Sequence, residues 1–491
     1  MEEYKKIVLH KSFLFDFGII FLVILAGFFP ALLYRYAFHN DLSIWLQGNP
    51  GHDVFRHIET GHLVLIGRPV QAVLLWIQTT FIRYFLTIHT LVLARGFAIL
   101  SVALTAALLN LILIKGTQLS RCQRLTFMSL ATIQPGFFIG VFWMMNFTPL
   151  VVGFGIGLLS GIIYALRPVK KHSVLISAVL VAIAFLNYPP SACAFFIPMI
   201  LLTAFTNKTP TILDLAKAIS LFGLSSIFGY LNHLIWIKSL LCKGGFAHCW
   251  TWTSLESGDY GMTLATHLGP KILLLGQAIK MVGVPWNTFA FGTNWMALTA
   301  AIGLIFLALW NVSASVQSPL KRIFISAMYG LGVTLVLCSA NLVATGQVIG
   351  FRTLIPLGVF IAIGWVKLIN LIPARKIRNL ISVIAVAILT SSSAMVGLEY
   401  IPYYEESLST LESTPEMPEL CKNRYPGVDL WPFERAFRDH AAGGSPTMYP
   451  LKNSETHSFE FGIAAIPPLS ISGICMLLKE PGSRYEHSAT Y

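Results

Sequence analysis

Eleven apolar runs of about 20 residues, some shorter, occupy most of the first 400 positions of this chain, and they constrain the fold more than any other feature. They fall at 14–34, 91–114, 125–143, 149–166, 174–187, 191–205, 218–240, 295–313, 323–343, 354–372 and 379–398. A helix of about 20 apolar residues covers the roughly 30 Å hydrocarbon core of a bilayer. It also pairs every backbone polar group within itself, which a lipid environment demands. The short alternating segments of an outer-membrane barrel are absent. The expected fold is therefore an all-α polytopic membrane protein with about eleven transmembrane helices. Only 11% of residues are charged, against about 25% in soluble domains.

The net charge of +12 reads as topology and not as affinity for nucleic acid. With the N-terminus in the cytoplasm, the inward segments are 1–11, 115–124, 167–173, 206–217, 316–322 and 373–378. Each carries two or three Lys or Arg, sixteen in all, so every alternate loop obeys the positive-inside rule. The first apolar run is long and has no small-residue cleavage site, so it reads as a span and not as a removable signal. This orientation sends residues 35–90, 241–294 and everything after about 399 outside.

Residues 1–398 thus form a membrane domain, and 399–491 a small α+β domain on the outer side. The tail holds thirteen acidic and seven basic side chains, reversing the bias of the rest. A helical pattern at 431–441 and strand-like alternation at 454–463 and 471–479 argue for folded structure over a disordered tail.

Seven cysteines are present. Cys122 falls on the cytoplasmic side, and Cys193 and Cys338 lie in spans as small apolar fillers. Cys242 with Cys249, and Cys421 with Cys475, share outer segments and pair only if that compartment oxidises thiols. No CxxC, HExxH, P-loop or GxGxxG pattern occurs, so metal and nucleotide-hydrolysis chemistry have no foothold.

Chemistry concentrates in the first outer loop. Outside the last 93 residues the chain has nine acidic side chains, and Asp41, Asp53 and Glu59 are three of them. They keep company with Arg56, Arg68 and histidines 39, 52, 57 and 62. After the turn signal at 48–51, Asp53, Arg56, His57 and Thr60 fall on one helical face. A second amphipathic stretch follows at 70–83. Two interfacial helices are expected between the first two spans. The histidine steps of five do not stack on a helix face, which argues against a metal site. A carboxylate beside Arg56 and His57 in a partly dry cleft stays ionised and suits a general base. The plainer reading is a solvated loop whose charges hold it at the interface.

Other outward features fit either reading. Arg352 is the only charge between two apolar spans. It snorkels to headgroups or binds a lipid phosphate bidentately. Gln134-Pro135 and Asn187-Tyr188-Pro189-Pro190 close outer turns, as interfacial belt residues or as sugar-binding groups. Glu256 and Asp259 sit among aromatic residues in 241–294. Asp16 is expected at the cytoplasmic boundary, and Arg95 and Lys238 are expected to snorkel near span ends.

The block Asp53, Arg56, Gly61 and Gly67-Arg68-Pro69 resembles the membrane glucosyltransferases of the Gtr type that modify O-antigen. Gln134-Pro135, Tyr188-Pro189 and Phe351-Arg352-Thr353 extend the likeness over most of the membrane region, though not the tail. In those proteins an acidic pair precedes the Arg, whereas this chain has His52-Asp53. The resemblance implies a GT-C fold: multi-spanning enzymes that use polyprenyl-phosphate sugars on the non-cytoplasmic face, here the periplasmic side of a bacterial inner membrane. It implies Asp53 as catalytic carboxylate with Asp41 in reserve. It further implies Arg56, His57, His52, Glu59, Arg68, Arg352, Gln134 and Tyr188 as substrate-binding candidates.

The implied reaction moves a hexose, by default glucose, with inversion from the lipid carrier to a surface glycan or glycolipid, and needs no cofactor or metal. Membrane lipids are the other expected partners. Two different readings stay open: a transporter or flippase of lipid-linked saccharide, and a non-catalytic assembly factor in envelope polysaccharide synthesis. The lack of a convincing internal repeat and the near absence of acids within the spans count against the transporter.

Overall fold

The computed structural model describes residues 11–34, 68–85, 91–142, 144, 147–166, 171–206, 212–233, 235, 276, 279, 282, 295–310, 318–340 and 353–413. Among these the ordered elements are all helical. In chain order they are α1 (Lys11–Phe28), α2 (Pro30–Leu33), α3 (Pro69–Phe85), α4 (Leu91–Gly116), α5 (Arg121–Thr132) and α6 (Pro135–Phe142). A π-helical turn (Thr148–Val152) leads into α7 (Gly153–Leu166), followed by α8 (Lys171–Asn187) and α9 (Pro189–Ala192). A 3-10 turn (Cys193–Phe196) leads into α10 (Ile197–Phe205) and then α11 (Ile212–Asn232). The last four are α12 (Trp295–Ala308), α13 (Pro319–Leu337), α14 (Ile355–Asn370) and α15 (Arg375–Ser413).

Each of the eleven apolar runs carries helix, but the expected count of eleven spans is not reproduced. Four helices among the described residues are long and apolar enough to cross a membrane: Val92–Gly116, Thr148–Leu166, Pro319–Leu337 and Arg375–Leu398. A fifth arises if α5 and α6, bent by 61°, count as one broken span. The reason is helix length. Lys171–Asn187 and Ile355–Asn370 hold 17 and 16 residues, or about 24–26 Å at 1.5 Å per residue, short of the ~30 Å core. The run at 191–205 is split into α9, the 3-10 turn and α10. Helix α15 also continues past 398 to Ser413, through the point where the tail domain was expected to begin. Residues 414–491, and with them both the tail domain and the Cys421/Cys475 pair, lie outside the described residues, as do Cys242 and Cys249. Cys122, Cys193 and Cys338 are free thiols, the last two buried.

The bundle has two distinct ends. At one, the carboxylate of Asp16 is fully buried against Arg121 Nε at 2.5 Å and Arg124 Nη2 at 3.2 Å. Arg124 also donates to Asn110 Oδ1 and the Leu119 carbonyl. Ser120 and Gln123 form a reciprocal capping box that starts α5, and Gln123 reaches on to Asn370. The cap satisfies backbone donors that a helix start otherwise leaves unpaired. At the opposite end lie Phe28 against Phe138, Ile355 beside Gln134, and Tyr188.

Helices pack closely where side chains are small. Ser160 on α7 and Ser177 on α8 exchange hydrogen bonds with each other's backbone carbonyls at 2.8 and 3.0 Å. A Cβ on Gly157 would stand 2.9 Å from the Ser191 carbonyl oxygen. Only glycine lets the broken 189–205 segment lie on α7 so tightly. Around the outside, Leu175, Val179, Leu224, Phe228, Phe324 and Leu331 are exposed, as expected of helices facing lipid hydrocarbon. The described residues thus form an all-helical bundle with four or five candidate membrane spans, the character of a membrane protein.

Candidate functional site

Two pieces of the candidate site, 120 positions apart in sequence, meet at the Tyr188 end. The guanidinium of Arg68 lies 4.9 Å from the centroid of the Tyr188 ring. Local sequence sets both partners. Arg68 precedes Pro69 at the first position of α3, where a missing N–H costs nothing. Tyr188 precedes Pro189 and takes an extended backbone, φ −158° and ψ 106°, as the bulk of a following proline requires. That extended residue ends α8 and leaves the Tyr188 ring buried at 5% exposure beneath a half-buried Arg68. Such a stack is worth about 0.5–2 kcal/mol.

Helix α3 then runs on from Arg68 with its amphipathicity reversed. Val73 and Ile77 are exposed, while Gln71, Ala72 and Leu75 are buried. The amphipathic stretch expected at 70–83 is therefore present as Pro69–Phe85, with its amides turned toward protein. Gln78 Nε2 donates to the Met144 carbonyl at 2.8 Å, so α3 is tied at one point to Tyr188 and at another to the turn after α6. Beside Tyr188, Asn187 Nδ2 donates to the Thr148 carbonyl at 2.9 Å, and Ser191 Oγ to the Pro149 carbonyl at 2.8 Å. Pro149, with no N–H of its own, sits in the π-helical turn, a backbone irregularity frequent at functional sites.

Gln134 occupies the break between α5 and α6. It is buried, and its Nε2 donates to the Ala131 carbonyl at 2.6 Å and the Ile355 carbonyl at 3.4 Å. It packs so closely on Gly358 of α14 that a Cβ there would collide with its carboxamide. Gln134 thus clamps the start of the helix that follows Arg352, apart from the Arg68–Tyr188 stack. Asp53, Asp41, Arg56, His57, His52, Glu59 and Arg352 lie outside the described residues. Among the described residues no group of three or more His, Cys, Asp or Glu could hold a metal ion.

Sequence reasoning passed over Gln71, Gln78 and Thr148, and read Asn187 as part of a turn. The signal for the two glutamines was available: positions 71 and 78 share one helical face, opposite Val73 and Ile77. Arg95, expected to snorkel, is instead buried to 1% exposure on α4. Comparison of the chain with protein-family models, curated proteins and solved structures gives no match.

Proposed function

We propose that this protein is an inverting hexosyltransferase of the GT-C type. In this reading it takes a sugar, by default glucose, from a polyprenyl-phosphate carrier and passes it to a surface glycan such as O-antigen. Its membrane is the bacterial inner membrane, crossed by about eleven helices with the N-terminus cytoplasmic. The Tyr188 end faces the periplasm together with loops 35–90 and 241–294 and the 399–491 domain. The observation that carries the reading is the stacking of Arg68 on Tyr188 at 4.9 Å. It unites the Gly-Arg-Pro and Tyr-Pro pieces of the resemblance, and puts a cation at the end of a loop rich in rare carboxylates.

The chemistry follows from the leaving group. A lipid phosphate departs as a stabilised anion, so the enzyme's task is to bind that anion and take one proton. Asp53, or Asp41, accepts the proton of the acceptor hydroxyl. The hydroxyl oxygen forms its bond to the anomeric carbon as the bond to the phosphate oxygen breaks on the opposite face. Arg68 and Arg352 balance the charge on the departing phosphate, a role worth about 3–4 kcal/mol per donor. Arg56, His57, His52 and Glu59 belong to the same loop, with His52 standing where the Gtr-type enzymes it resembles have an acid. The test is Asp53→Asn, read by mass spectrometry of surface glycan. The expected result is a fall in hexose transfer of about 100- to 10,000-fold. Full transfer by stably inserted protein removes Asp53 as the base, and a glycan unchanged by deleting the gene removes the reading.

A second reading, carriage of a lipid-linked saccharide across the membrane, draws on the 61° break between α5 and α6, because discontinuous helices are a transporter device. Translocation by liposomes of purified protein with no new glycosidic bond would favour it.

A further inference from the structure

Four acceptor oxygens at the Tyr188 end are buried with no hydrogen-bond donor: Gln71 Oε1, Gln78 Oε1, Thr148 Oγ1 and Asn187 Oδ1. Gln71, Thr148 and Asn187 are themselves 7%, 4% and 0% exposed. Native proteins rarely leave such groups unmatched, since each costs about 1–3 kcal/mol.

These four sit on three elements that pack on one another: α3, the π-helical turn and the end of α8. Asn187 is tied to Thr148 through Nδ2, which turns its carbonyl oxygen the other way. It adjoins Tyr188, on which Arg68 stacks, and Gln71 follows Arg68 by one helical turn. Gln78 is tied through its own nitrogen to Met144, four positions before Thr148 in sequence. In Gln78 and Asn187 the nitrogen is committed to a backbone carbonyl and the oxygen is left over. The unmatched atoms are thus all oxygens, each able to accept from an O–H donor, with the Thr148 hydroxyl able to donate as well. The cluster holds no carboxylate, so it does not suit a divalent cation, which seeks charged oxygen ligands. A ligand that brings several O–H donors on one rigid ring answers it, and a sugar does so.

We infer that Gln71, Thr148 and Asn187, flanked by Gln78, form a subsite for the hydroxyl groups of a pyranose ring, between α3, the π-helical turn and the end of α8. The inference rests on the transferase reading and specifies which residues hold the sugar. Arg68, at the same end of α3, lies where the phosphate of a sugar-phosphate bound here would sit. The ring hydroxyls donate to the three buried oxygens, and the apolar Val73–Ile77 face of α3 stays toward lipid.

The test measures binding to the full-length protein in lipid nanodiscs with two probes, decyl phosphate and decyl-phosphate-linked glucose. Wild type is expected to prefer the sugar-bearing probe. The near-isosteric variants Thr148→Val and Gln71→Met are each expected to weaken that probe about five- to tenfold while leaving decyl phosphate unchanged. If wild type prefers the sugar probe and both variants keep the full preference, the cluster holds ordered water only and the subsite is wrong. Equal weakening of both probes also overturns it, as a general packing defect. If wild type binds neither probe, or both equally, it is the lipid-linked sugar reading itself that fails. Circular dichroism of each variant confirms that the helices are intact.

Discussion

Arg68 and Tyr188 are locked to each other by two prolines, one on either side of the contact. Pro69 begins α3 immediately after Arg68, and Pro189 holds Tyr188 extended beneath it, with the guanidinium 4.9 Å from the ring. The loop that precedes Arg68 is thereby anchored at its far end to the end of α8.

The contact predicts a measurable coupling. Tyr188→Phe keeps an aromatic face and is expected to cost little, whereas Tyr188→Leu loses the stack. Arg68→Ala should lose the same energy once only, so the double variant Arg68→Ala/Tyr188→Leu is less destabilised than the sum of its parts. The expected coupling is about 0.5–2 kcal/mol, read from unfolding of detergent-solubilised protein. Strict additivity would show that the two groups are near each other without interacting.

At the opposite end, Asp16 predicts a ranking between its two arginines. Arg124 is 16% exposed and donates to Asp16, Asn110 and the Leu119 carbonyl. Arg121 is 45% exposed and meets Asp16 and the Phe15 ring. Removing a well-buried partner of a buried carboxylate costs about 3–5 kcal/mol, while an exposed ion pair contributes about 0–1 kcal/mol. Arg124→Ala is therefore expected to lower the unfolding temperature far more than Arg121→Ala. Equal losses would mean that Arg121 and Arg124 share the Asp16 charge evenly despite their different burial.

The contrast between these two ends shows what the sequence makes legible. The helices at all eleven runs were readable because a buried backbone has no choice but to pair with itself. Asp16 was readable as a boundary residue, since an acid one turn into an apolar run needs cations, and the next loop inward supplies Arg121 and Arg124. The bend inside the 125–143 run had one local trace, Gln134-Pro135, and its cause lies far away. Gly358 opens the space that Gln134 fills, and nothing near either residue in sequence announces the other. Arg95 was misjudged because a charge near the start of a span looks the same on paper whether it faces headgroups or protein. The inward amides of α3 were hidden by the assumption that polar faces of interfacial helices turn to water. Of the candidate site, Arg68, Tyr188 and Gln134 are placed, while the proposed base depends on Asp53 in the preceding loop.

Which side of the membrane each end faces decides whether that loop can meet an outward lipid-linked sugar, and Cys122 provides a direct test. It follows Arg121 at the Asp16 end and is partly exposed, whereas Cys193 and Cys338 are buried. Segments 115–124, 167–173, 206–217, 316–322 and 373–378 supply thirteen of the sixteen Lys and Arg used to orient the chain. Retention of such charges on the cytoplasmic side is the basis of the positive-inside rule. In a variant with the other six cysteines replaced by serine, a membrane-impermeant maleimide is expected to leave Cys122 unlabelled in spheroplasts. The same reagent should label it in inverted vesicles. The reverse pattern would turn Asp53, Arg68 and Tyr188 toward the cytoplasm, where the donor and acceptor proposed for this protein are not presented.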